Sequence, residues 1–198
     1  METFLSVDCE KVLKNEIVEK KSRFLSFAKY VKSSVEAEGF CREIKQTYND
    51  AKHIVFAYRL LNTSRFSDDG EPSGTAGKPI LQVLEKMNVY NIVVVVVRYF
   101  GGIKLGAGPL LRVYSSSAKQ VLSDLCVYEK CYKSKLKLTF QDFEKLLKMT
   151  LKEKVKTENI VFSDNVSLDI IYAKNVTLNF GEEISKTEVY YSFGDKNE

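Results

Sequence analysis

The chain has 198 residues, 44% of them hydrophobic and 28% charged, and carries a formal net charge of +4. That balance excludes a disordered chain and leaves ample apolar material for a buried core. The longest apolar run, Ile92 to Val97, excludes a membrane-spanning helix, which needs about 20 such residues.

Other bulk features narrow the class further. The opening Met-Glu-Thr-Phe has no basic stretch leading into an apolar segment, so a cytoplasmic protein with no membrane partner is expected. The oligomeric state stays open. Cys9, Cys41, Cys126 and Cys131 form no C-x-x-C pair, and one histidine does not complete a Cys/His zinc set. Free thiols, no metal and no cofactor are the expectation. Residues 1–132 hold 19 Lys+Arg against 15 Asp+Glu, and the remainder is neutral at 11 against 11. The whole excess therefore lies in the first two-thirds, where it permits a local basic patch.

In chain order, Glu16 to Lys20 and Phe24 to Val31 read as strands, rich in β-branched and aromatic residues. Ser33-Ser34-Val35-Glu36 is a capping box, which starts a helix to about Tyr48 with Val35, Phe40, Ile44 and Tyr48 near one face. His53 to Leu60 is a third strand, and Leu61 to Gly77 a polar loop. Pro79 fits the first turn of a helix running to about Met87. Asn91 to Arg98, with five consecutive valines, reads as a strand buried on both faces. Pro109 opens another helix, with Leu110, Tyr114, Ala118, Val121 and Leu125 as its buried stripe.

A domain boundary is expected near Val127 to Ser134, where charge and composition shift. Beyond it Lys133 to Phe140 alternates as a half-buried strand. A helix over 141–155 follows, then strands within Asn159 to Tyr172 and Glu188 to Phe193. The expected architecture is α+β in two domains, 1–130 and 131–198.

Seven of the ten glycines and all three prolines fall between Asp68 and Pro109. They form two segments, Asp68 to Pro79 and Arg98 to Pro109, each leading into a helix. Glycine permits close approach of a ligand to the backbone, and helix starts present unpaired N–H groups. Anion or phosphate-backbone binding is therefore expected at Ser73, Gly74, Thr75, Lys78, Arg98, Gly101, Gly102, Lys104, Gly106, Gly108 and Arg112. The Lys20-Lys21-Ser22-Arg23 cluster, with Arg23, either extends that basic surface or forms a simple solvated turn. Tight packing of the turns is the competing reading. Neither segment fits the P-loop or the full dinucleotide fingerprint. His53 with Asp68, Asp69 or Glu71 forms a candidate acid–base set, although a lone histidine often serves structure alone.

The strings Lys21-Ser22-Arg23-Phe24, Ala51-Lys52-His53, Asp68 to Pro79, and Val97 to Gly108 with Leu111-Arg112 and Tyr114 make the chain resemble the Impact/YigZ family. The resemblance implies a first domain similar to domain IV of elongation factor G and a ferredoxin-like second domain similar to its domain V. The chain departs from the family at Pro109, where glycine is usual. Its last helix, between Tyr172 and Glu188, is short or missing. Eukaryotic relatives act in translational control by blocking activation of a stress kinase through protein contacts. The leading functional expectation is an RNA- or ribosome-binding regulator of translation using the basic glycine-rich surface. A hydrolase of phosphorylated small molecules and a protein-binding adaptor without chemistry are the alternatives.

Overall fold

Six fully buried residues in a row, Ile92 to Val97, make β6 (Ile92–Tyr99) the centre of the larger of two contact units, Phe4–Cys126. The computed structural model describes residues 1–193. In this unit β2 (Val12–Glu19), β3 (Ser22–Tyr30), β6, β4 (His53–Arg59) and β5 (Ser64–Ser67) form one sheet in the order β2-β3-β6-β4-β5, with every pair antiparallel. A central strand covered on both sides has no polar face, so the valine run matches its position.

Helix α1 (Ser34–Thr47) packs Ala37, Phe40 and Ile44 with Phe27, Val93, Val95, Val97 and Tyr58. Its start follows the capping box: the Ser33 hydroxyl accepts from the Glu36 amide, and the Glu36 carboxylate accepts from the Lys32 amide. Val35 departs from the sequence reading. It is exposed, because Ala37 rather than Val35 completes the inward stripe.

Helices α2 (Gly77–Lys86) and α3 (Ala107–Val121) pack against each other and the sheet. Tyr114 of α3 meets Phe24 of β3 edge-on at 5.3 Å. Leu110, Tyr114, Ala118 and Val121 are buried as expected, whereas Leu125 lies beyond the helix end. The expected polar loop over 61–77 contains one short strand, β5, whose exposed Ser-Arg-Phe gives little apolar signal.

The second unit comprises Met1–Thr3 and Val127–Glu198. Strands β7 (Cys126–Leu138), β8 (Val155–Phe162), β9 (Val166–Ala173) and β10 (Glu182–Tyr191) lie antiparallel in the order β10-β7-β9-β8. The short β1 (Thr3–Ser6) begins at the last residue of the Met1–Thr3 segment and runs into the larger unit. Helix α4 (Phe140–Thr150) links β7 to β8 and is shorter than the expected 141–155. Val155 instead begins β8 and is buried, while Leu151 is exposed.

The order of the four main strands is that of a ferredoxin-like βαββαβ unit. Between β9 and β10, where its second helix belongs, residues 174–181 are not helical. Val176, Leu178 and Phe180 pack against the Leu136–Leu146–Leu168 core from this loop, so apolar side chains supply the missing cover.

Candidate functional site

The site grows from one row of residues across the larger sheet. Phe24 of β3 and His53 of β4 both stand in register with Arg98 of β6. Strand pairing thus brings a histidine and an arginine together from positions 45 residues apart in sequence.

Glu71, delivered by the loop before α2, closes the cluster. Its Oε1 accepts from Arg98 Nη1 at 2.5 Å and from the Tyr114 hydroxyl at 2.8 Å. The Glu71 and Arg98 side chains are 3% and 7% exposed, so each ion depends on the other for charge compensation. Burial, reinforced by the Glu71 carboxylate, pushes the Tyr114 hydroxyl well above its usual value and keeps it a donor. The Arg98 guanidinium also lies 5.4 Å from the Phe24 ring centre and 5.7 Å from that of Phe100.

His53 Nδ1 lies 2.8 Å from the Asp69 carbonyl, and a carbonyl only accepts, so the ring proton sits on Nδ1. Nε2 then faces Glu71 Oε2 at 3.9 Å.

Next to this cluster is a cavity of about 370 Å³. Its polar lining comes from His53, Glu71, Arg98, Lys52 and Lys104. Its apolar wall is Pro72, Phe100, Leu105 and Leu110, and Gly106 and Ala107 at the start of α3 complete it. Gly106 is the N-cap with φ +85°, which favours glycine, and it offers no side chain to the helix start.

The first glycine segment is organised differently. Asp68 Oδ1 accepts from the Ala76 and Gly77 amides at 3.1 and 2.8 Å, and Oδ2 from the Gly74 amide at 2.8 Å. The α2 start is therefore already filled by a carboxylate of the chain, which leaves no open phosphate cradle at Ser73, Gly74, Thr75 and Lys78. Thr75 turns its hydroxyl onto the Pro72 carbonyl, and Lys78 is exposed outside the cavity lining.

The same bonds commit both Asp68 carboxylate oxygens to backbone amides. Asp69 is likewise engaged, its carboxylate accepting from the Ile54 amide at 2.7 Å. Of the four candidate catalytic residues, only His53 and Glu71 line the cavity.

The second glycine segment sits against the β2–β3 hairpin. Its two-residue turn, Lys20-Lys21, has φ of 45° and 65°, a type I′ turn. A Cβ on Gly101 would lie 2.1 Å from the Lys21 carbonyl carbon, and the Gly101 amide donates to Ser22 Oγ at 3.1 Å. Gly102 has φ +84° and faces open space. Arg23 is paired with Glu16 at 2.8 Å, which raises the guanidinium and lowers the carboxyl from their usual values.

Of the candidate cations Lys78, Arg98, Lys104 and Arg112, Arg98 and Lys104 line the cavity, while Lys78 and Arg112 do not. Arg112 reaches back over Gly108 along α3.

Sequence reasoning missed Lys52 and Phe100 as site residues and took Tyr114 for core packing alone. Phe100 left a signal, since it is a large aromatic between a buried strand and two glycines. Nothing in the spacing linked Tyr114 to Glu71. Among the described residues, no group of three or more His, Cys, Asp or Glu side chains is placed to hold a metal ion. No helix there is long and apolar enough to cross a membrane.

Residues 20–122, which contain the entire cluster, match the Impact N-terminal domain. The chain belongs to the Impact family. A Haemophilus influenzae family member is 33% identical over 174 residues, covering 84% of each chain. This chain spans little more than half of some other members, 55% of the Bacillus subtilis protein YvyE. The crystal structure of a hypothetical protein, 28% identical, aligns with a TM-score of 0.62 over 87% of this chain and 86% of that one. The structure of Yih1, described as a two-domain translational regulator, is 26% identical over 57% of this chain and 46% of its own, with a TM-score of 0.40.

Proposed function

We propose that this chain binds RNA, in the setting of the ribosome, and regulates translation through the end of the larger sheet where the β2–β3 hairpin, Lys52 and the second glycine loop meet. The observation that carries the reading is a cationic rim around an exposed aromatic. Lys52 and Lys104 border the cavity, Lys20 and Lys21 form the hairpin tip packed on Gly101, and Phe100 is 47% exposed among them. Lysines supply the phosphate contacts that dominate affinity, and an exposed ring offers a surface on which a base stacks. Three acidic groups nearby are engaged, Glu71 by Arg98, Asp50 by the Tyr99 hydroxyl and Glu16 by Arg23, while Glu19 beside the hairpin tip is not, among the described residues.

Filter binding with ribosomes, ribosomal RNA and short oligoribonucleotides tests this. Affinity is expected to fall with salt, and each rim lysine changed to alanine reduces the salt slope by about one phosphate contact. No affinity at low salt for any of these RNAs overturns the reading.

A second reading, hydrolysis of a phosphorylated small molecule, now rests only on His53 beside Glu71. A phosphatase and nucleotidase screen with no His53-dependent turnover removes it.

A further inference from the structure

We infer that the cavity beside Arg98 is a binding site for a single nucleotide, with its phosphate at the start of α3 and its base against Phe100 and Leu110. The inference deepens the RNA reading, because it assigns one nucleotide of the strand, or a free mononucleotide, to a defined pocket.

The anion end follows from four observations. The α3 N-cap is Gly106, which provides no capping side chain, and Pro109 brings no N–H, so the Ala107 and Gly108 amides are the first-turn donors. Such amides carry partial positive charge and suit a phosphate. Lys104 and Lys52 border the same opening. Arg98 lines it with a side chain 7% exposed, and its Nε is a buried donor without a partner among the described residues. Glu71, the only acid in the lining, is already compensated by Arg98 and Tyr114, which leaves the two lysines as the charge surplus.

The rest of the lining excludes a bare inorganic anion as the natural ligand. Pro72, Phe100, Leu105 and Leu110 form an apolar wall, which a phosphate alone would leave uncovered. A planar base attached to the phosphate covers it, and His53 in the same lining offers a polar neighbour to the base edge. The volume, about 370 Å³, is at the small end of ligand pockets and suits one nucleotide.

Isothermal titration of the full chain with the four ribonucleoside monophosphates, unphosphorylated nucleosides and inorganic phosphate tests the inference. Saturable one-to-one binding of at least one monophosphate is expected, about tenfold or more tighter than its nucleoside or phosphate alone. Ala107→Trp fills the opening from an exposed position, so it abolishes binding while the melting temperature holds. Equal affinity for phosphate and monophosphate, or unchanged monophosphate binding in Ala107→Trp, overturns the pocket.

An RNA oligonucleotide then separates the sources. Displacement of bound monophosphate by the oligonucleotide assigns the pocket to a nucleotide of RNA, and binding without displacement assigns it to a free nucleotide. Monophosphate binding with no RNA affinity leaves the pocket standing and removes the RNA reading. RNA binding with no monophosphate binding, unaffected by Ala107→Trp, does the reverse.

Discussion

Arg98 and Glu71 form a buried ion pair whose two members reach each other from β6 and from the loop before α2, 27 residues apart, with less than a tenth of either side chain exposed. Two charges taken out of water are stable together and costly apart. Arg98→Met strands the Glu71 carboxylate, and Glu71→Leu strands both the guanidinium and the Tyr114 hydroxyl. Each single change is expected to destabilise the fold by about 3 kcal/mol or more. The double variant loses less than the sum of the two. Urea midpoints for the four-protein cycle measure the coupling, and strictly additive losses would show that the pair acts as two independent side chains.

Asp68 has a different task. Its carboxylate serves three amides at the start of α2, so Asp68→Ala removes the acceptor for all of them. The expected loss is about 1–2 kcal/mol, in the range of N-cap removals. Asp68→Asn keeps one acceptor oxygen and recovers part of it. Thermal melts of both variants decide the matter, and a melting temperature unchanged in Asp68→Ala would contradict the capping role.

Much of this was legible in the sequence, for identifiable reasons. The β6 valine run, the Ser33 capping box and the proline-led starts of α2 and α3 are local signals, and each element lies where its signal fell. Asp68, His53 and Tyr114 carried signals too, but their partners are set by tertiary placement. A carboxylate before a glycine-rich helix start reads alike whether it caps that helix or faces solvent. Only the turn over 68–77, which folds Asp68 back onto its own amides, distinguishes the two. The rim lysine Lys52 was invisible for the same reason, since β6 lies between β3 and β4 in the sheet although it follows both in sequence.

The Lys20-Lys21 turn sets stability against binding. Both residues have positive φ, a conformation that costs a non-glycine residue roughly 1 kcal/mol and that Asn-Gly adopts readily. Lys20→Asn/Lys21→Gly is expected to raise stability by about 1 kcal/mol while weakening RNA affinity and its salt dependence. Paired melting and filter-binding measurements check both signs. A stabilised variant with unchanged RNA affinity would remove the hairpin tip from the binding surface.

In the smaller unit the hydroxyls of Ser134 and Tyr172 donate to Glu183, at 2.5 and 3.2 Å, and so tie β10 to β7 and β9 beside the irregular register at Glu183. The Ser134 hydrogen bond is the main cause holding the Glu183 carboxyl below its usual value, against the opposing effect of burial, with Tyr172 and Lys186 assisting. A carboxyl that ionises more readily folded than unfolded adds stability above its unfolded value, about 4.3, and loses that contribution as pH falls through the lower folded value. Acid unfolding of the wild-type chain should therefore include a Glu183 component below about pH 4. Glu183→Gln keeps an acceptor oxygen for Ser134 but cannot titrate, so it lowers the melting temperature at neutral pH, where the carboxylate contributes, and the two profiles converge as pH falls through that window. Profiles of the two proteins that stay parallel from neutral pH down to the acid limb would show that Glu183 contributes nothing to the pH dependence.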